Sequence, residues 1–266
     1  MAAHMKSAKR VAVRAGFTLV ELLVVVAVVA TLAALIFPTL SSMIDEGRKA
    51  ACASNLRQIG TGIAAYSADN DNQIPYGPKA PPFTSPSDLY PSTGAPTSLL
   101  SLRTGQPVAL GLLLGAYLAK TPNVLFCPGS DQPVDSAAEL AKVGKTQAQG
   151  SYYYRHGGNT QIFDDAHHPF TPSLRLNNLG LNRNGVPIRA LVIDTMFLCP
   201  PDLSSFNVVP RTYHRQKYVN ILFTDGHVTM HTNFDGGYTV DVTDYSQLTS
   251  SFDKILQVFE RADANP

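Results

Sequence analysis

From Phe17 to Phe37 the sequence reads FTLVELLVVVAVVATLAALIF, 21 residues whose only charge is Glu21. As a helix rising about 1.5 Å per residue, the run reaches roughly 31 Å, enough for the hydrocarbon core of a bilayer. Ahead of it, Lys6, Lys9, Arg10 and Arg14 are the basic residues of an acid-free segment. That asymmetry predicts a cytoplasmic amino terminus and an exported remainder. A secretory signal peptide would carry a shorter apolar region, about 7–15 residues, followed by a small-residue cleavage site. Here the run is longer and leads into Pro38 and a polar helix. An ordinary anchor leaves Glu21 unexplained, because a carboxylate within an apolar span costs on the order of 2.5–3.5 kcal/mol and needs a partner.

Beyond that segment the chain has the means to fold. Of its 266 residues 44% are hydrophobic, sufficient for a core, while 19 Gly and 19 Pro predict many loops and turns. The formal charge of +1 hides the basic amino terminus; without its four bases, 17 basic residues face 20 acidic ones. No basic stripe persists that would mark a nucleic-acid surface. Three cysteines, Cys52, Cys127 and Cys199, permit one disulfide with one thiol left over, and the sequence does not choose the pair. A zinc site is not expected, because no CxxC or similarly close ligand pair occurs.

The junction Arg14-Ala15-Gly16-Phe17-Thr18-Leu19-Val20-Glu21 resembles the prepilin signal of type IV pilins and type II secretion pseudopilins. The resemblance implies cleavage after Gly16 by a prepilin peptidase, methylation of the new terminal Phe17, and a role for Glu21 in subunit register. A small residue before the junction suits an extended backbone in a protease cleft. Glu21 would be relieved of its burial cost by the Phe17 ammonium of a neighbouring subunit. Pro38, which lacks an amide donor, is expected to kink the helix near the membrane surface.

After Pro38, Met43, Ala50, Ala51, Leu56, Ile59, Ile63 and Tyr66 recur at mostly three- and four-residue spacings, the stripe of an amphipathic helix. The element is expected to run from about Thr18 to Ser67, with Asp45 pairing to Arg48 or Lys49 on its solvent face. Within it, Arg48 through Gly60 is similar to the RxxxCxxNLrQiG helix of a pilin-like subgroup, a domain-of-unknown-function family common in planctomycete-like bacteria. Cys52, Asn55, Leu56, Arg57 and Gln58 carry that match. The subgroup's other markers are present as the turn from Asp69 to Pro75, the Cys127-Pro128 segment, and a late His-to-Asp-Gly motif at His214, Asp225 and Gly226. In the family pattern nine residues separate the His from the Asp, whereas ten do here. The extra residue implies a bulge or longer loop. Asp69 and Asp71 offer alternating oxygens to calcium, but no Gly or Glu stands where an EF-hand needs it, and capping or turn formation explains both.

The expected fold is α+β and pilin-like, a long amino-terminal helix, half transmembrane and half amphipathic, packed against an antiparallel β-sheet with long loops. Its parts are a leader over 1–16, a transmembrane or filament-core helix over 17–38, an amphipathic stalk over 39–68 and an extracytoplasmic globular domain over 69–266. Strands are expected at Val124–Cys127, Ser151–Arg155, Ala190–Ile193, Tyr218–Thr224 and His227–Thr232, the last two joined by a two-residue turn at Asp225-Gly226. Short helices are expected near Ser98–Leu102, over Ala109–Ala119 as helix or turn, and over Ser136–Lys145 with Ser136 as cap. Residues 75–108, 156–187 and 199–212 read as loops or insertions.

No catalytic constellation is expected. His227 and His231 share one face of a strand about 13 Å apart, too far for one metal. The His167-His168 pair lies in a loop, and His214 is read as closing a loop onto the sheet. No phosphate loop, GxSxG or HExxH occurs. The leading expectation is a pseudopilin-like structural subunit of a type II secretion-like filament, with no cofactor. Its implied partners are prepilin peptidase, copies of itself or related prepilins, an inner-membrane assembly platform and the lipid bilayer, and no nucleic acid. A type IV pilin for adhesion, motility or DNA uptake is the alternative within the family. A membrane-tethered periplasmic binding or hydrolytic domain is the alternative outside it.

Overall fold

The computed structural model describes residues 17–77, 96–129, 131–157, 174–194, 196–206 and 209–266, apart from the side chains of 36–39, 41, 205, 206, 245, 248, 249 and 252. Gly16 and the His167-His168 pair lie outside the described residues. The chain divides into two compact units, Met1–Ile44 and Asp45–Pro266. A single helix, α1 (Leu19–Asp69, 51 residues), contributes to both.

In the first unit the apolar side chains of α1 face outward: Leu19 is 78% exposed, Val25 52% and Leu35 72%. Among the described residues, no helix is long and apolar enough to cross a membrane. Pro38 lies within α1, which continues through it as one helix, and its side chain falls outside the described residues.

The second unit is built on a five-stranded antiparallel sheet. Its strands are β1 (Thr97–Ser101), β2 (Ala148–Tyr154), β3 (Ala190–Ile193), β5 (Tyr218–Phe223) and β6 (Val228–Thr232), paired in that order. Aromatic and β-branched residues dominate the central strands, and β2 and β3 are buried at every position. Burial on both faces means two covering layers. On one face, Cys52, Leu56, Ile59, Ile63 and Tyr66 from the second half of α1 pack with Tyr152, Tyr154, Val192 and Leu222. Gly60 permits this approach, since a Cβ there would stand 2.9 Å from Leu222 Cδ1.

The other face is covered by α3 (Leu248–Ala264) and by a two-stranded parallel sheet of β4 (Met196–Leu198) and β7 (Thr239–Asp241). There Val219, Ile221 and Phe223 of β5 meet Ile255, Val258 and Phe259 of α3. The period-two alternation of β5 therefore sends Asn220 and Leu222 toward α1 and their neighbours toward α3. A buried ion pair holds the far end of α3: Arg155 donates to Asp263 at 2.7 Å, and Asp263 also accepts from Asn182 and from the amides of Arg189 and Ala190.

Helix, antiparallel sheet and α+β class agree with the sequence reading, and several elements correct it. Residues 97–101 form β1 instead of a helix, because the segment bonds along the edge of β2. Val124 belongs to a short 3-10 turn, Pro122–Leu125, opened by its proline, and Phe126 after it is extended. The helix α2 spans Ser136–Lys142, and its cap is Asp135, whose carboxylate accepts from the Ala137 and Ala138 amides. Lys49 pairs with Glu46 at 2.7 Å, while Asp45 reaches Arg215 at 2.8 Å and Arg48 at 3.8 Å. Ala50 and Ala51 face solvent, and Cys52 takes the buried position. The loop after β5 holds three residues: the amide of Gly226 bonds Phe223 O, and that of Phe223 bonds His227 O. Gly226 supplies the left-handed residue this geometry requires, at φ +86°. The third layer, α3 with β4 and β7, carried no expectation, because their burial depends on partners distant in sequence.

Candidate functional site

Two places in the chain gather the residues that the sequence singles out. At the start of α1, the Thr18 hydroxyl accepts from the Glu21 amide at 3.2 Å, while Glu21 Oε2 accepts from the Thr18 amide at 2.8 Å. The Thr18 hydroxyl also donates to Glu21 Oε2 at 2.8 Å. This is a reciprocal capping box, which satisfies orphan donors at the helix start. The signal was readable as Thr-x-x-Glu before an apolar run, and the sequence reading passed over it. Phe17, 82% exposed, immediately precedes the box.

The second place lies between the stalk part of α1 and the sheet. Cys52 projects from the buried stripe of α1, and Leu56 anchors the next turn, both fully buried. Asn55 donates to the carbonyl of Phe126 at 3.0 Å, which fixes the segment carrying Cys127 against the helix. Arg57 and Gln58 point to solvent. Asp194 follows β3 directly, and His214 precedes β5.

His214, Arg215 and Gln216 take φ values of 51°, 54° and 60°. Three successive left-handed residues, none of them glycine, cost on the order of 1–2 kcal/mol each. Asp131 steadies this turn by accepting from the Arg215 amide at 3.1 Å and, through its carbonyl, from the Thr212 hydroxyl at 2.6 Å.

The four side chains converge. Cys52, Cys127, Asp194 and His214 are 0%, 1%, 0% and 6% exposed, and their ligand atoms all lie within 4.8 Å of one another. Cys52 Sγ is 3.3 Å from Asp194 Oδ2, Cys127 Sγ is 3.5 Å from His214 Nε2, and His214 Nε2 is 3.3 Å from Asp194 Oδ2. Around them, Asn220 donates its amide to Asp194 Oδ1 at 2.6 Å and its side-chain nitrogen to Asp194 Oδ2 at 2.9 Å. The Tyr152 hydroxyl stands 3.3 Å from Cys52 Sγ. The cysteines are free thiols.

Electrostatics follow from burial. Burial, the contact with Cys127 and the charge of Asp194 push the Cys52 thiol well above its ordinary range, with His214 working the other way. Burial disfavours the charged His214 ring, yet its bonds to Asp194 and Cys52 outweigh that and push it up to about 10. His214 and Asp194 thus stand as a buried pair, with Nε2 3.3 Å from Oδ2.

Other singled-out residues lie apart from this cluster. Asp69 and Asp71 are exposed at the end of α1, where the Asn70 side chain bonds Tyr66 O at 2.7 Å and the Asn72 amide bonds Ser67 O at 2.8 Å. Asp225 accepts from the His227 amide at 3.1 Å and pairs with the His227 ring, which stacks on Phe223. His231 bonds Thr229, and Cys199 packs beside the α3-side core. Spacing rules find ligand pairs close in sequence. Here Cys52, Cys127, Asp194 and His214 stand on four separate segments, and Asp194 carried no signal at all.

No curated protein and no solved structure matches the chain. Residues 12–37 match the family model for the prokaryotic N-terminal methylation motif, which supports a type IV pilin-like prepilin and the processing by prepilin peptidase that this implies.

Proposed function

We propose that the chain is a prepilin-processed, pseudopilin-like structural subunit of a type II secretion-like filament. The observation that carries this reading is the methylation motif over residues 12–37, ending in a helix whose apolar side chains are exposed. Cleavage falls between Gly16 and Phe17, Phe17 is methylated, and the span through Phe37 holds the subunit in the inner membrane. The head is extracytoplasmic and structural, not catalytic. In the filament the exposed side chains of Val25, Leu32 and their neighbours pack against copies of the same helix or related prepilins, drawn together at an inner-membrane platform. Glu21 both caps its own helix and presents a carboxylate to the terminal ammonium of a neighbour.

The test separates those two roles of Glu21. Glu21→Gln keeps a capping-box side chain and removes the charge. Mass spectrometry of the mature terminus is expected to show normal cleavage and methylation in this variant, and filament imaging to show impaired incorporation. Gly16→Val is expected to retain the leader and yield no filament. Normal polymerisation of Glu21→Gln would refute the register role. Long filaments outside the cell, in place of short periplasmic ones, would replace the pseudopilin by a type IV pilin.

A further inference from the structure

We infer that Cys52, Cys127, Asp194 and His214 form a structural site for a thiolate-preferring divalent cation, zinc, that fastens the stalk helix to the sheet. The argument begins with shape. Tetrahedral zinc with bonds of about 2.3 Å to sulfur and about 2.0–2.2 Å to nitrogen and oxygen sets its ligands roughly 3.4–3.8 Å apart. Three of the separations, 3.3, 3.5 and 3.3 Å, fall at that scale. All six lie within 4.8 Å, so a modest contraction closes the tetrahedron, and the site supplies four ligands with no open position, the pattern of a structural centre.

Surroundings point the same way. Ligands of charge −3 around a +2 ion leave one excess negative charge, and donors are already in place for it. The Asn220 amide and side chain hold both oxygens of Asp194, and the Tyr152 hydroxyl can donate to the Cys52 sulfur. Asn220 Oδ1, by contrast, is buried with no hydrogen-bond partner among the described residues, so this side chain is oriented toward the cluster at a cost. The left-handed turn at His214 is a second cost spent to aim one ring nitrogen. Local strain of this kind persists where the surrounding structure has a use for the side chain.

The four ligands come from the stalk helix, the segment after the Pro122–Leu125 turn, the end of β3 and the turn before β5. A cation there links elements that otherwise meet through packing, hydrogen bonds and the Asp45–Arg215 ion pair. Binding requires both thiols deprotonated and His214 neutral, so zinc uptake releases protons. The site stands independently of the filament reading, since every ligand lies in the second unit.

The test uses the full-length chain in detergent, isolated from the exported compartment. Elemental analysis is expected to find one zinc per chain in the wild type and in Cys199→Ser. Cys127→Ser is expected to lose it, and Asn220→Ala to bind zinc about 10–100-fold more weakly. Cobalt substitution of the wild type, which involves no variant that could misfold, is expected to give the visible bands of tetrahedral cobalt with thiolate charge transfer. A Cys52–Cys127 disulfide in the isolated protein would overturn the proposal, as would zinc retained by Cys127→Ser or a cobalt spectrum without thiolate bands.

Discussion

The two halves of α1 have the same backbone and opposite surroundings. From Leu19 to Leu35 the large apolar side chains are exposed, whereas from Cys52 to Ile63 the apolar stripe is buried to within 1%. Helix formation is therefore not what separates them. The second half finds its partners inside the chain, in Tyr152, Tyr154 and Leu222. The first half has an apolar surface that is exposed among the described residues, and such a surface in water marks an interaction site. In the proposed filament its partners are lipid and other subunits, while the second unit stands on internal contacts.

That contrast can be broken by substitutions, beginning with the largest expected effect. Asp263→Ala leaves the Arg155 guanidinium buried without its carboxylate and removes the acceptor of three further donors. It is expected to destabilise the second unit by about 3–5 kcal/mol, read from denaturant unfolding followed by near-ultraviolet circular dichroism of the buried tyrosines. Ile59→Ala empties a fully buried position beneath the sheet and is expected to cost about 2–5 kcal/mol in the same assay. Val25→Ala should change that stability by less than about 0.5 kcal/mol, because its side chain is exposed. A larger effect at Val25 would show that the first half of α1 supports the second unit, and the comparison would fail. An effect confined to filament assembly would sharpen it.

The candidate sites were legible to different depths. Phe17, Glu21 and the apolar run are consecutive, so their pattern is visible in the sequence, and even the missed capping box is a local signal. Cys52, Cys127 and His214 were each singled out by resemblance, yet nothing in their spacing joined them. Asp194 was invisible, since a lone aspartate after a strand is unremarkable until Asn220 grips it from the neighbouring strand. The helix α3 escaped notice for a related reason: its apolar face acquires meaning only against the far side of a sheet whose strands lie far from it in sequence.

The sequence alone determined what depends on neighbours along the chain: the basic amino terminus, the methylation motif, the apolar run, the amphipathic stalk and the central strands. Periodicity and local chemistry specify these. The tertiary structure decided the third layer, the left-handed turn at His214 and the meeting of four ligand side chains between helix and sheet. Those depend on strand order, register and which face of β5 looks toward α1, and such quantities arise only when distant segments compete to bury the same surface.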